Sequence, residues 1–291
     1  MKHEERGIMS RYDHRKPVNR LTYGIIYLVV LIMACSMLYP ILVAMFNSLK
    51  TNTEVNSFPP TFIPEHGWQW GNFKEGWNFL DLPLFLRNTL AIFVGNLVVT
   101  IVVLGMAAFS LSKMNVPKSK VISMFFLITL FIPPTTYLIP NFLNLKDLGL
   151  VNTFAAFWLP AGASAFNLLL LKNFFDSLHQ EMFEAARIDG ASELRCFGQL
   201  AVPLSVPIIS TLAIFIFSTA WNDWFWPSLV MHSDHKYPLA TAIYKYVISA
   251  RGLNLNIRFA ILFMVMLPPI IVFLTLQRFI MRGLHLGGVK G

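Results

Sequence analysis

The chain has 291 residues, of which 55% are hydrophobic and 13% are charged, and its formal net charge is +8. A soluble domain carries about twice that share of charged residues, so much of this apolar surface must face lipid. The Lys and Arg residues stand between apolar blocks and near the termini, which is unlike the continuous basic surface of a nucleic-acid-binding protein. The two cysteines, Cys35 and Cys196, have no metal-ligand spacing and do not indicate a redox function.

Six apolar stretches are long enough to cross a bilayer as α-helices, which takes about twenty residues. They cover residues 21–46, 89–112, 121–141, 153–171, 204–230 and 259–281. Each stretch is continuously apolar and does not alternate as a barrel strand does. We therefore predict an all-α membrane protein with six transmembrane helices. Prolines predict kinks in three of them, namely Pro133, Pro134, Pro140, Pro207, Pro268 and Pro269.

The orientation follows from the basic residues of the connections, because cytoplasmic loops carry an excess of Lys and Arg. With both termini in the cytoplasm, fifteen of the 23 basic residues lie inside and eight lie outside. We therefore predict that both termini are cytoplasmic. The predicted segments are a cytoplasmic tail 1–20, a first helix 21–46, an extracytoplasmic loop 47–84, a core of five helices 85–282 and a cytoplasmic tail 283–291.

The predicted spans are nearly free of ionisable residues. An ion-driven transporter places carboxylates, His or Arg in mid-membrane, whereas here the one carboxylate of the spans, Asp223, stands at the outer end of the fifth span. The sequence also has no G-x-x-x-x-G-K-[ST] loop for nucleotide phosphates and no catalytic constellation. These patterns predict a transport component that is not an enzyme and that receives its energy from another subunit. They disfavour the alternatives, which are a secondary transporter, a membrane enzyme and a structural anchor.

The longest connection on the inside is predicted to form two short helices separated by a glycine turn. Ser177 and Gln180 fit a capping box at the start of the first helix, and Gly190 can take the left-handed conformation that ends it. Ala185 and Ala186 leave a patch of small side chains that lets another surface approach the backbone. The second helix is expected to run rigidly into the fifth span, so the connection can act as a lever.

This connection resembles the EAA loop of ABC-importer permeases, whose pattern is E-A-A, three residues, G, nine residues and I-x-L-P. The matching residues are Glu184, Ala185, Ala186, Gly190 and Pro203, with Leu200 and Val202 where Ile and Leu are usual. The resemblance implies the fold of a type I ABC importer transmembrane domain. It also implies that residues 176–203, the coupling segment, dock on an ATP-hydrolysing subunit and pass its motion to the membrane helices.

Further segments resemble the carbohydrate-importing branch of these permeases, of the maltose type. They are Asn47-Ser-Leu-Lys50, Phe58-Pro-Pro-Thr-Phe-Ile-Pro64, Trp221-Asn-Asp-Trp-Phe-Trp-Pro227 and Gly283-Leu-His-Leu-Gly-Gly-Val-Lys-Gly291. The resemblance covers nearly the whole chain apart from residues 1–20. It implies a permease subunit of an ATP-driven carbohydrate importer that forms half of the transmembrane pathway. The same machinery carrying glycerol-phosphate or a polyol is the alternative.

The resemblance also implies the assembly around the chain. The expected partners are a second, different permease subunit, two ATP-binding subunits and an extracytoplasmic sugar-binding protein, all at a bacterial cytoplasmic membrane. No cofactor or metal is expected on this chain, since ATP and Mg²⁺ belong to the partner ATPase. No nucleic acid is expected either.

Two aromatic groups on the outer side are candidate functional sites. Aromatic faces stack on sugar rings and carboxylates accept hydrogen bonds from hydroxyls, so Trp221, Asn222, Asp223 and Trp224 are candidates for the solute path. The alternative is that Asn222 and Asp223 cap a helix. The loop 231–258 resembles the one that reaches into the binding protein, and its candidate contacts are Tyr237, Tyr244 and Tyr246, with an interfacial helix as the alternative.

The C-terminal tail is too short and too rich in glycine to fold alone. By resemblance it inserts between the two ATPase subunits, and the candidate contacts there are Gly287, Gly288 and Lys290. A frayed chain end is the alternative.

Overall fold

The computed structural model describes residues 17–287 of the chain. These residues form sixteen α-helices in the order α1 Pro17–Ser48, α2 Asn52–Val55, α3 Gly71–Phe79, α4 Leu82–Val99, α5 Gly105–Lys113, α6 Ser119–Thr129, α7 Leu138–Asp147, α8 Ala155–Ala161, α9 Ala165–Ser177, α10 Gln180–Ile188, α11 Glu193–Arg195, α12 Val202–Leu204, α13 Val206–Asn222, α14 Phe225–Val230, α15 Leu239–Ala242 and α16 Leu255–Gly287. Wider π-helical turns over Thr100–Leu104, Cys196–Ala201 and Ile243–Ile248 extend the helices beside them.

Three continuous helical stretches of the described chain are long and apolar enough to cross a membrane: Leu21–Ser48, Leu82–Lys113 and Leu255–Gln277. Three further pairs of helices pass the same test together but are bent at a short break. Counted with each bent pair as one span, the described residues contain up to six spans by length and composition, as predicted. The fifth differs in its bounds, since its apolar helix α13 ends at Asn222 and the separate helix α14 covers most of the predicted remainder up to residue 230. The second span begins at Leu82, seven residues before the predicted start, because Asp81 Oδ1 accepts a hydrogen bond from Leu84 N at 3.2 Å and caps the helix.

Some of the predicted proline kinks are sharp breaks in the structure, whereas other prolines lie inside a continuous helix. Ser119–Thr129 and Pro134–Asp147 meet at 91°, with Pro133 and Pro134 at the break, as expected for residues that cannot continue a helix. Pro268 and Pro269, in contrast, lie inside the continuous helix α16. The predicted kink is therefore a sharp break in the third span, while the sixth span continues as one helix through its two prolines.

The prediction that the coupling segment runs rigidly into the fifth span is wrong in one respect. Glu193–Leu204 and Val206–Asn222 meet at 77°, so the chain turns sharply at Ser205 instead of continuing straight. The Ser205 hydroxyl donates to Ala201 O at 2.6 Å and Ser205 is fully buried. The corner between the two helices thus lies at a single buried residue, Ser205.

The chain divides into two compact units, and the first contains the described residues up to Gly76 together with Leu253–Val265. Its polar core is built on Asn72, whose Nδ2 donates to Ser48 O at 2.8 Å and to Lys50 O at 2.9 Å. Asn256 Nδ2 donates to Asn72 Oδ1 at 3.0 Å. These buried amides satisfy the carbonyls at the end of α1 and join that end to the starts of α3 and α16.

The second unit contains Trp77–Gly252 and the chain from Met266 onward. Its main apolar core lies where α5, α9 and the coupling segment meet, and its fully buried members include Ala108, Phe183, Cys196, Ala201 and Leu212. Phe109 is at the centre, with its ring 6.2 Å from that of Phe175 and 5.6 Å from that of Phe183. Burial of aromatic side chains is a large apolar contribution to stability, so this cluster holds the coupling segment against the spans.

Gly95 allows α4 and α8 to approach closely. Trp158 Nε1 donates to Ala91 O at 3.1 Å, which fixes the indole against α4. A Cβ added at Gly95 would overlap the Trp158 ring.

We expect Gly95→Ala to destabilise the protein by about 1–3 kcal/mol, because the indole must leave its hydrogen bond to make room. The thermal unfolding of the purified protein in detergent measures this effect. Gly198→Ala is the matched control, since Gly198 has no neighbouring atom within 4 Å of an added Cβ. Equal unfolding temperatures for the two variants would contradict the close contact.

Candidate coupling segment and outer aromatic cluster

The first coupling helix, α10, is closed by the glycine turn that the sequence predicts. Gly190 has a φ of 83°, in the left-handed region. Its N–H donates to Arg187 O at 3.0 Å, and Ala191 N donates to Ala186 O at 2.9 Å. These two bonds form a Schellman motif, which satisfies carbonyls at the end of the helix. No described atom lies within 4 Å of an added Cβ at Gly190, so the glycine is needed for its backbone conformation and not for space.

The start of α10 differs from the prediction. Ser177 is the last residue of α9, and its hydroxyl donates to Phe174 O at 2.6 Å. The N-cap position of α10 is His179, which makes no capping hydrogen bond through its side chain. The predicted capping box at Ser177 and Gln180 is therefore wrong, because the hydroxyl is already used by the preceding helix.

One face of α10 is anchored and the other is open. Phe183 is fully buried in the apolar core, whereas Glu184, Ala185 and Gly190 are exposed and Ala186 is half-buried against the core. Further along, Pro203 is exposed. Exposed large apolar side chains extend the open face, namely Met182, Ile188 and Leu194. An exposed apolar patch of this kind on a polar segment is typical of a protein interaction site.

Two basic residues that the sequence analysis did not single out hold the coupling segment to the end of α5. Lys113 is buried, and its Nζ donates to Leu178 O at 2.7 Å and lies 5.6 Å from the centre of the Phe183 ring. Arg187 Nη2 donates to Lys113 O at 3.1 Å. The coupling segment is thus attached to the second span by side chains as well as to the fifth span by the chain itself.

Arg187 also forms an ion pair within the coupling segment. Its Nε lies 2.8 Å from Glu193 Oε1 and its Nη2 lies 3.1 Å from Glu193 Oε2, so the contact is bidentate. The hydrogen bond with Glu193 raises the pKa of Arg187. The pair spans the glycine turn and joins α10 to α11.

The structure brings together the two aromatic groups that the sequence predicts on the outer side. The rings of Trp224 and Tyr244 stack with their centres 4.0 Å apart, and Thr241 Oγ1 donates to Trp224 O at 3.0 Å. Both stacked rings are exposed, whereas Trp221 and Tyr237 are buried. Tyr246 is half-buried, so of the five aromatic residues Trp224 and Tyr244 offer the most accessible surface. We call this pair the outer aromatic pair.

The polar members of the first group act as helix caps. Asn222 Nδ2 donates to Ser218 O at 2.8 Å, near the end of α13. Asp223 Oδ1 accepts from Trp226 N at 3.1 Å, in the first turn of α14. The contacts of these two side chains match the capping alternative, and Asn222 is also exposed.

The loop that carries Tyr244 is held by an ion pair. Lys245 Nζ lies 2.9 Å from Asp234 Oδ1 and donates to the Tyr237 hydroxyl at 3.1 Å. Hydrogen bonds from Lys245 and Tyr246 lower the pKa of Asp234, and the hydrogen bond to Asp234 raises the pKa of Lys245. Burial raises the pKa of Tyr246, which is half-buried. Asp234 and Lys245 therefore both stay charged near neutral pH.

Two asparagines that the sequence analysis did not identify also hold the same loop. Asn88 Nδ2 donates to His235 O at 2.8 Å and to Tyr237 O at 3.0 Å. Asn152, with a φ of 63°, accepts through Oδ1 from Ser233 N at 3.1 Å. A non-glycine residue with positive φ is uncommon, but the sequence gives no signal for it beyond the residue type.

Part of the predicted C-terminal contact lies outside the described residues. Gly287 is the last residue of α16, and Gly288 and Lys290 follow beyond it.

We expect Arg187→Gln to destabilise the purified protein more than Glu193→Gln. The ion pair is partly exposed and contributes about 0.2–1 kcal/mol, whereas Arg187 also loses its hydrogen bond to Lys113 O, a further contribution of about 1 kcal/mol. Thermal unfolding of both variants and of the double variant measures the two contributions separately. If Glu193→Gln were as destabilising as Arg187→Gln, the contact with Lys113 would contribute nothing.

Comparison with known proteins places this geometry in a family. Residues 101–285 match the family described as binding-protein-dependent transport system inner membrane component. The chain is 31% identical over 260 residues to the sn-glycerol-3-phosphate transport system permease protein UgpE of Pectobacterium atrosepticum, covering 86% of this chain and 91% of that protein. It is 30% identical over 272 residues to the melibiose/raffinose/stachyose import permease protein MelC of Bacillus subtilis, covering 92% and 96%.

A solved structure shares the fold. The crystal structure of a bacterial ABC transporter involved in the import of the acidic polysaccharide alginate contains a chain that superposes with a TM-score of 0.80 at 24% identity, over 94% of this chain and 99% of that one. The predicted ABC importer transmembrane fold is therefore confirmed. With the family match and the relatives of nearly full length, the chain belongs to the binding-protein-dependent transport system inner membrane components, as a permease subunit and not an enzyme.

Proposed function

We propose that this permease subunit serves an ATP-driven carbohydrate importer and receives its energy through the coupling segment 176–203. The observation that carries the proposal is the two-sided geometry of α10. One face of α10 is anchored by the buried Phe183, and the other, open face exposes Glu184, Ala185 and Gly190. An ATPase that grips this face can displace the cytoplasmic ends of the spans, because the buried side keeps the segment attached to them.

The proposed assembly contains this chain, a second and different permease, two ATP-binding subunits and an extracytoplasmic binding protein. Both termini are cytoplasmic in this proposal, which places the coupling segment beside the ATPase and the loop with Tyr244 on the opposite side. ATP and Mg²⁺ bind to the partner ATPase. Gly287, Gly288 and Lys290 are the proposed contacts of the tail with the two ATP-binding subunits, by resemblance to the family.

Carbohydrate is the proposed cargo, and glycerol-phosphate is the second candidate. The relatives' names include both, namely sn-glycerol-3-phosphate for UgpE and melibiose, raffinose and stachyose for MelC. The outer aromatic pair favours carbohydrate, since exposed Trp and Tyr faces can stack on the apolar faces of sugar rings. Tyr244 is then available to the binding protein or to the sugar that it releases.

The direct test is to purify the tagged chain from its native membrane in a mild detergent. We expect an ATPase and a second permease to copurify, and ATP hydrolysis by the complex to rise several-fold when the extracytoplasmic binding protein and its sugar are added. A chain that copurifies with no nucleotide-hydrolysing protein would overturn the proposal.

The coupling role is tested by two substitutions at Gly190, where a side chain of either kind has open space around it. Gly190→Val forces a β-branched residue into the left-handed region, at a cost of about 1–2 kcal/mol or more, whereas Gly190→Asn is tolerated there. We expect the valine variant to lose the ATPase on purification and to abolish transport, and the asparagine variant to keep both.

The control for this experiment is Gly252→Val. Gly252 has a φ of 101° and open space around it, so the same backbone strain is placed in a turn outside the coupling segment. The ATPase should still copurify with this variant. Full uptake by Gly190→Val would count against the role of the glycine turn in coupling.

A further inference from the structure

We infer that a cavity in the second unit binds the transported solute, and that it accepts an uncharged, hydroxyl-rich molecule. This inference rests on the proposed function and adds to it a second contact region, separate from the outer aromatic pair. The cavity has a volume of about 700 Å³, and its lining comes from α6 and α7 on one side and from α8 and α9 on the other. The size is in the range of sites that hold small organic ligands.

The cavity lies at two breaks in the helices. α6 ends at Thr129 and the next helical turn begins at Pro134, with a bend of 91° between the two halves. α8 ends at Ala161 and α9 begins at Ala165, with a bend of 46°. Both breaks contribute to the lining, through Leu130 and Ile132 in the first and Ala163 and Ser164 in the second.

Non-helical backbone is not tolerated against lipid, because its polar groups have no partners in hydrocarbon. At membrane depth such backbone occurs only where protein covers it or where it lines a water-filled cavity. Broken helices of this kind form the solute sites of other membrane transporters. The surface between these two breaks therefore faces water or protein and not lipid tails.

Three polar side chains of the cavity, those of Tyr137, Asn141 and Asn144, are free to bind a solute. Asn141 and Asn144 lie one turn apart on α7, and both line the cavity. Within the described part of the chain, neither side-chain amide forms a hydrogen bond, and the Tyr137 hydroxyl forms none. An amide donates and accepts hydrogen bonds, as does a hydroxyl group, so the pair matches a molecule that presents several hydroxyls. Tyr137 and Phe166 add exposed aromatic surface for the apolar face of a sugar ring.

The lining is uncharged. None of the described residues around the cavity is Asp, Glu, Lys, Arg or His. Recognition of a phosphate normally uses Arg or Lys. Ser164 Oγ accepts from Asn167 N at 3.3 Å and so caps the first turn of α9 from within the chain. The cavity thus favours a neutral carbohydrate over glycerol-phosphate.

The test uses cysteine labelling in the assembled transporter with its ATPase and partner permease. Cys35 is exposed and is replaced by alanine, whereas Cys196 is buried and can stay. Leu148→Cys, which lines the cavity at the end of α7 and keeps both amides, is then treated with a membrane-impermeant, charged thiol reagent. The matched control is Ile139→Cys, at an exposed position of the same helix that does not line the cavity.

We expect the thiol of the Leu148→Cys variant to react, and millimolar neutral mono-, di- or trisaccharides to slow the reaction several-fold. sn-Glycerol 3-phosphate should have no effect, and no solute should change the reaction of Ile139→Cys. Adding Asn141→Leu should weaken the protection by sugars about tenfold, since one hydrogen-bonding amide is lost.

Three results would overturn the inference. A thiol that never reacts would show that the partner permease or lipid fills the cavity. Reaction without protection by any sugar would show a water-filled space that binds no carbohydrate. Protection by sn-glycerol 3-phosphate alone would show that the cavity binds an anionic solute and not a neutral one. Stimulation of ATP hydrolysis by the binding protein is measured on the same samples, so failure of the cavity assignment is distinguishable from failure of the proposed function.

Discussion

The structure depends on one constraint, which is that backbone polar groups inside a membrane must find partners within the protein. The constraint explains why the described chain is built from helices. It also limits which surroundings the breaks in these helices can have. The break before Pro134 and the break at Ser164 interrupt the regular helical backbone in the middle of bent pairs. By this constraint, such breaks in a membrane span are expected to face protein or water and not lipid. The same rule that makes the spans regular therefore supports the proposed solute site between the two breaks.

The coupling segment follows a different logic, because it lies outside the spans and must be both attached and accessible. Phe183 and Lys113 attach it, the first by burial among the rings around Phe109 and the second by a hydrogen bond to Leu178 O. Arg187 then joins the segment to the end of α5 and across the glycine turn to Glu193. In the proposed coupling, a force on the exposed face reaches the second span through these side chains and the fifth span through Ser205. Movement of one span without the other would break several of these contacts.

Much of the fold could be predicted from the sequence because its strongest signals are local. Six apolar stretches and Gly190 are properties of short segments, and the structure has helices in all six stretches and a positive φ at Gly190, although the second span begins early and the fifth ends at Asn222. The errors have two sources, which are the exact ends of helices and contacts between residues far apart in the sequence. Ser177 fits a capping box by spacing, yet its hydroxyl bonds to Phe174 O. The stacking of Trp224 on Tyr244 joins residues twenty positions apart, and no local pattern indicates it.

The uncharged cavity and the charged coupling segment have different proposed tasks in one chain, namely solute binding and coupling to the ATPase. The ion pair of Arg187 and the buried Lys113 occur where we propose that the protein holds a fixed shape against a moving ATPase. Charges are absent from the described lining of the cavity, where we propose that the solute enters and leaves. A strong charged contact would slow the release of a solute, whereas neutral amides such as those of Asn141 and Asn144 form weaker, more easily reversed hydrogen bonds with hydroxyls. In the proposed assembly, tight selection is then the task of the binding protein, and this chain needs only enough affinity to guide the solute through.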